Sequence, residues 1–260
     1  MSIVSVKELL DAGIHFGHKS AKWNPKMAPY IYSKRNKMHI LDVRETVKGL
    51  IQGYRFIEQA VASGETVLFV GTKKQAKISI EREAQRVGMP YVAERWLGGT
   101  FTNASTLRLR IDRLKELEKL EETGEINTYS KKMVSTLRRE RLKIFRNLSG
   151  IRNMDKLPGI VVIIDPSYEH IAVAEAKICG VPIVALTDTD TDPDDIDIVV
   201  PGNDDAMNSI DLVIQKLANA VVAGKEKLKN TKAAVVKGDD ADETTFGAAE
   251  TNEAVVIQSK

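Results

Sequence analysis

The chain has 260 residues, 43% of them hydrophobic and 28% charged, the proportions of an ordinary globular protein long enough for one large domain or two modest ones. Its single cysteine, Cys179, excludes an internal disulfide framework and a cysteine-clustered zinc site, and no stretch reaches the roughly 18 consecutive apolar residues of a membrane span. The 38 Lys and Arg nearly balance the 36 Asp and Glu, so net charge alone selects no partner. The first residues carry neither a secretory nor a transit pattern, and a cytosolic location is expected.

Ser5-Val6-Lys7-Glu8 has capping-box spacing and opens a short helix through Leu9 and Leu10 that stops at Gly13. Residues 14–29 show no period and read as a loop carrying His15, His18, Lys19, Lys22, Trp23, Asn24 and Lys26. Tyr30-Ile31-Tyr32 and His39-Ile40-Leu41 flank a basic turn and predict a small hairpin. Asp42 caps a helix whose Val43, Val47, Leu50, Ile51, Tyr54, Ile57 and Val61 recur at helical spacing.

From Gly64 the rhythm changes. Continuous apolar runs at 66–70, 159–164, 182–186 and 197–200, with a short strand near Tyr91-Val92, alternate with helices near 74–87, 168–179 and 205–228. Runs that are apolar on both faces and alternate with helices predict a parallel sheet covered on both sides. Five such strands fit an α/β fold with an open, flavodoxin-like sheet. The pattern breaks at 104–150, where Leu107, Ile111, Leu114 and Leu117 form one helical stripe and Met133, Leu137, Ile144 and Leu148 another, across a turn at Thr123-Gly124. Leu120 is an alternative to Leu117 in the first stripe and Phe145 belongs to the second, and together they predict an inserted, coiled-coil-like helical hairpin. The expected organisation is an α/β domain over 1–103 and 151–228 with an N-terminal extension (1–41), a hairpin over 104–150, and a disordered tail over 229–260.

Charge is strongly segregated. Residues 1–40 hold seven basic and two acidic groups, and 130–156 nine and two, whereas 158–212 hold one basic residue, Lys177, against twelve Asp and Glu. Such separation points to one face for a polyanion and another turned away from it.

Catalytic patterns fail on spacing. Phe69-Val70-Gly71-Thr72-Lys73-Lys74 follows a strand, where phosphates often bind, but lacks the glycines of a phosphate-binding loop. A phosphate contact through Lys73 and Lys74, or a nucleotide- or phosphate-binding enzyme using Lys73 and the nearby aspartates, remains an alternative. Asp188-Thr189-Asp190-Thr191-Asp192 begins like a calcium loop, but Pro193 and Val199 occupy positions that need glycine and glutamate. No nucleophile elbow surrounds a serine, and Cys179 reads as a core residue. Asp188, Asp204 and Asp205 follow strand ends, where ligands gather in open α/β sheets. With His18 they form a candidate site for structural zinc or magnesium, although no cofactor is required.

These residues resemble one family, the bacterial small-subunit ribosomal protein 2 family. The resemblance rests on Leu9-Leu10-Asp11-Ala12-Gly13-Ile14-His15-Phe16-Gly17-His18, on Trp23-Asn24-Pro25-Lys26-Met27, and on Arg95-Trp96-Leu97-Gly98-Gly99-Thr100-Phe101-Thr102-Asn103. Phe69-Val70-Gly71-Thr72-Lys73 and the strand from Pro158-Gly159 to Asp165-Pro166 continue it. It spans about residues 2–228 in family order and does not reach the tail. It implies a non-enzymatic structural protein at the head–body junction of the small ribosomal subunit. It also implies contact with rRNA, with other small-subunit proteins, and with small-subunit ribosomal protein 1. Neither a membrane partner nor a homo-oligomer is expected.

The RNA-contact candidates are Lys19, Lys22, Trp23, Asn24, Lys26, Lys34, Arg35 and Lys37 in the extension, and Lys73, Lys74, Arg95 and Asn103 in the sheet domain. In the hairpin they are Arg108, Lys131, Lys132, Arg138, Arg139 and Arg141. Lysines and arginines neutralise phosphates, and an aromatic such as Trp23 can stack on an unpaired base. Phe16, Asp188 and Asp205 are the candidate protein-partner surface.

Overall fold

The computed structural model describes residues 4–246, with side chains through residue 230. Helix α1 (Val6–Asp11) starts as expected: the Ser5 hydroxyl accepts from the Glu8 amide at 3.1 Å, and the Glu8 carboxylate accepts from the Ser5 amide. The segment read as a loop contains strand β1 (Phe16–Lys19) and a 3-10 helix at Pro25–Tyr30, capped by the Asn24 side chain. Strands β2 (Ile31–Arg35) and β3 (Met38–Leu41) form the expected hairpin, and β1 adds to its far side to give an antiparallel sheet of order β1-β3-β2. Four residues of mixed polarity carry too little period to reveal β1 in sequence. The β2–β3 turn is tight: Asn36 at φ 49 and Lys37 at φ 62 are both left-handed, the arrangement that matches strand twist in two-residue hairpins.

Helix α2 (Val43–Ala62) leads into the main sheet of β4 (Val67–Val70), β5 (Tyr91–Val92), β6 (Ile160–Ile164), β7 (Ile183–Thr187) and β8 (Ile198–Pro201). All pairings are parallel, in the order β5-β4-β6-β7-β8. Renumbered within the sheet, this is the flavodoxin order, in which the order of strand addition reverses at the neighbouring first and third strands. Side chains alternate between two buried layers, as strand geometry requires. Val67 and Phe69 of β4 join one core with α2, α3 (Lys77–Val87) and α7 (Met207–Phe246). Leu68 and Val70 join the other, with α6 (His170–Ile178) and the base of the hairpin.

The hairpin consists of α4 (Ala104–Glu122) and α5 (Lys131–Leu148), antiparallel and cross-linked by Arg113–Glu140 at 3.3 Å and Arg141–Glu121 at 2.9 Å. Ile111, Leu114, Leu117, Leu137, Ile144 and Leu148 are buried in the same core as Val161 and Ile163 of β6. The hairpin base therefore completes one cover of the sheet, each such side chain contributing about 1.5–3 kcal/mol by its burial. Helix α2 covers the β8 edge at Gly49, where a Cβ would lie 2.2 Å from the Val199 carbonyl oxygen, so only glycine permits the approach. The last helix, expected to end near 228, continues in the backbone to Phe246; of the tail expected to be disordered, residues 247–260 lie outside the described residues.

Candidate functional site

Two regions collect the candidate residues. The first is the crevice at the carboxyl ends of the main strands. Lys73 follows β4, Asp165 follows β6, Asp188 follows β7, and Asp204 and Asp205 follow β8. The Lys73 ammonium lies 2.7 Å from Asp204, 2.7 Å from Asp205 and 3.0 Å from Asp165. From the small sheet, His18 Nδ1 lies 2.6 Å from Asp188 Oδ2, and Nε2 lies 3.4 Å from Asp205. The His18 amide donates to Asp188 and Thr189, each at 3.1 Å. Gly17 makes this possible: a Cβ there would lie 2.8 Å from Thr189 Cγ2.

Four carboxylates face two basic groups, so the crevice is electronegative. The hydrogen bond to Asp188 raises the His18 pKa to about 9 against the opposing effect of burial. Burial, with Asp165 nearby, pushes Asp204 up to about 7. Burial works against the Lys73 ammonium, but Asp204 and Asp205 outweigh it and hold it above the usual lysine range. Lys73 is therefore committed to carboxylates and is not free for a phosphate. The Thr72 amide at the same turn donates to Glu169 at 2.6 Å. Of the two lysines expected to meet a phosphate at this turn, Lys73 is engaged by carboxylates and Lys74 is exposed. Single ligating atoms of His18, Asp188 and Asp204 lie within 4.8 Å of one another, and Asp204 Oδ2 is buried without a partner among the described residues.

The second region is the cationic surface of the small sheet and hairpin. Lys19, Lys22, Lys34, Arg35 and Lys37 are exposed and have no carboxylate within salt-bridge distance among the described residues. Trp23 is 37% exposed and tilts over the buried His39 ring at 5.1 Å, so one part of the indole builds the fold and the rest faces outward. Asn24 and Asn103 use their side chains as helix caps. Lys26 pairs with Asp192 at 2.7 Å and Asp194 at 2.5 Å, fastening the extension to the acidic loop after β7.

On the hairpin, Arg138 and Arg141 pair with Glu121, and Arg108 donates to the Asp155 carbonyl. Lys131, Lys132 and Arg139 are exposed and unpaired with carboxylates among the described residues, and Arg95 is exposed at the hairpin entry. Phe16 is 46% exposed, and its ring centroid lies 4.0 Å from that of His15 with the planes tilted by 39°. Asp188, by contrast, is 1% exposed; it orients His18 and offers no surface of its own, leaving Phe16 and Asp205 on the outside.

Sequence reasoning missed Asp165, Glu169 and Glu175. Asp165 directly ends a strand and could have been read with the other strand-end aspartates, and it adopts the left-handed region at φ 59. Glu169 and Glu175 lie in an alanine-rich segment, and nothing local distinguishes them from solvated helix residues.

The family profile described as Ribosomal protein S2 matches residues 9–224. A protein of Rhodopirellula baltica named small ribosomal subunit protein uS2 is 53% identical over 220 residues, which is 85% of this chain and 85% of the relative.

Proposed function

The chain belongs to the ribosomal protein S2 family, a structural constituent of the small ribosomal subunit and not an enzyme, and from that premise we propose that it binds small-subunit rRNA near the head–body junction. The observation that carries this reading is the separation of paired from unpaired charge. Carboxylates of the loop after β7, of the crevice and of the hairpin already hold Lys26, Lys73, and Arg138 and Arg141, respectively. Lys19, Lys22, Lys34, Arg35 and Lys37 on the small sheet, and Lys131, Lys132 and Arg139 on α5, are exposed and remain available to phosphates. The exposed part of Trp23 suits stacking on an unpaired base. Phe16 and Asp205, at the border of small sheet and crevice, suit a protein partner, and we assign them to docking small-subunit ribosomal protein 1. The working location is the ribosome in the cytoplasm.

Sedimentation tests the reading. Tagged chain in a bacterial lysate is expected to comigrate with small subunits, and to do so less as salt rises, because each phosphate contact releases counterions. A chain that stays at the top of the gradient at both salts overturns it. For the partner, Phe16→Ala with Asp205→Lys is expected to lower protein 1 occupancy while rRNA binding persists; unchanged occupancy overturns that assignment.

A second reading concerns a metal. One imidazole nitrogen and two carboxylates gather in the crevice, and Asp204 Oδ2 has no partner among the described residues. An imidazole donor among oxygens fits zinc and not magnesium, which prefers oxygen alone. We propose that His18, Asp188 and Asp204 hold structural zinc, which would tie the N-terminal extension to the sheet.

A further inference from the structure

The hairpin joins the sheet domain through residues 95–103, a run of turns between β5 and α4. Five donors from this run converge on one carboxylate. Glu175, in α6 and 6% exposed, accepts through Oε1 from the Trp96 indole at 3.1 Å and the Gly99 amide at 2.7 Å. Through Oε2 it accepts from the Phe101 amide at 2.9 Å and from the amide and hydroxyl of Thr102, both at 3.3 Å. No Lys or Arg pairs with Glu175 among the described residues.

A buried carboxylate without a cation is expensive unless dipoles meet its charge. Its value here is directional. Apolar contacts of Trp96, Phe101 and Ile111 favour burial but set no angle, whereas hydrogen bonds to two fixed oxygens do. The next residue after Thr102 is Asn103, the cap of α4, so the carboxylate holds the backbone at the point where the hairpin begins.

We propose that Glu175 is the positioning residue of the hairpin, a clamp on residues 96–102 that sets the angle at which α4 and α5 leave the sheet. The clamp rests on the reading of the hairpin as an RNA-contacting arm, because an arm must meet its phosphates at a defined angle.

Distance measurement by pulsed electron spin resonance tests the clamp in the full chain. Nitroxides are attached at Ser63→Cys, just past α2, and Asn127→Cys, between α4 and α5, in a Cys179→Ser background. The parent is expected to give one narrow distance. Glu175→Gln is expected to broaden or shift it, with amide exchange at Gly99 and Phe101 about tenfold faster and amides of β4, β6 and β7 unchanged. Glu175→Asp, shorter by one methylene, is expected to fall between them. Should Glu175→Gln fail to fold, Trp96→Phe keeps the aromatic packing and removes one donor, and the same distance is read.

A narrow, unshifted distance in a folded variant whose loop amides exchange freely would show that packing alone sets the angle, and would overturn the clamp. The RNA arm is tested separately by replacing Lys131, Lys132 and Arg139 with alanine in the parent. Unchanged rRNA affinity there overturns the arm reading whatever the distances show. Lower affinity there, and in Glu175→Gln, supports both.

Discussion

His18 Nδ1 lies 2.6 Å from Asp188 Oδ2, although 170 positions separate the two residues. The contact closes the small sheet over the end of the main one, and the His18 amide bonds to Asp188 and Thr189 reinforce it. The N-terminal extension is thus part of the crevice and not an appendage.

The first prediction follows from the charge on this imidazole. In chelator, the raised His18 pKa contributes stability that is complete below 6.5 and is lost as pH rises through about 9. His18→Ala is expected to cost about 1–3 kcal/mol in urea unfolding at pH 6, since it strips Asp188 of a buried partner. The penalty should shrink towards pH 10; a constant penalty would mean that the ring contributes by packing alone.

Zinc addition to chelated protein is expected to saturate at one equivalent and raise the melting temperature, because a ligand that binds only the folded state stabilises it. Asp204→Asn should abolish the shift, and magnesium at the same concentration should reproduce none of it. A zinc response that survives Asp204→Asn would exclude this set of ligands.

Alanine at Lys34, Arg35 and Lys37 together removes three exposed cations that have no carboxylate partner among the described residues. The logarithmic salt slope of rRNA binding should flatten by about 2–3, close to one for each phosphate that is no longer neutralised. Thermal melting should move little, since surface changes rarely exceed about 0.5 kcal/mol. An unchanged slope would remove this turn from the interface.

Lys37 alone separates fold from binding. Its φ of 62 is unfavourable for a side chain, and Lys37→Gly should relieve the left-handed strain with a net gain of about 0.5–1 kcal/mol after the entropy of glycine is subtracted. The same variant should weaken rRNA binding. Gain of stability with undiminished binding would show that Lys37 carries no phosphate.

Acid should loosen the hairpin before the sheet. Burial alone would raise the Glu175 carboxyl, but the Phe101 and Gly99 amides and the Trp96 indole outweigh it and leave the pKa below its ordinary 4.5. The stabilisation is therefore complete above 4.5 and is lost as pH falls through the lowered value. Trp96 fluorescence should report an acid transition absent from Glu175→Gln; its persistence in that variant would assign it to another group.

Much of the fold was legible because its signals are local. Val67–Val70 and Ile160–Ile164 are apolar at every position because both faces of the sheet are covered, and a continuous run bounded by glycine or Asp-Pro can be read from either end. The helical stripes of 104–148 survive because a hairpin buries one side of each helix. Strand β1 was not legible: Phe16–Lys19 owes its strand to pairing with β3 and not to its own pattern.

At the candidate site, residue type and strand-end position were enough to gather His18, Asp188, Asp204 and Asp205. They did not reveal that Lys73 would be taken by three carboxylates, or that Asp188 would be buried. Nor could they rank the arginines of α5, since Glu121 reaches Arg138 and Arg141 only across the two helices.

The sequence by itself determined the layered α/β architecture, the inserted hairpin and the division of charge, because periodicity and composition are properties of neighbouring residues. Tertiary structure decided which charges remain free. An ion pair forms where two distant segments meet, and its partner cannot be read from either segment alone. The same holds for Glu175, whose five donors come from a loop more than seventy positions away and converge only once the hairpin base has packed onto the sheet.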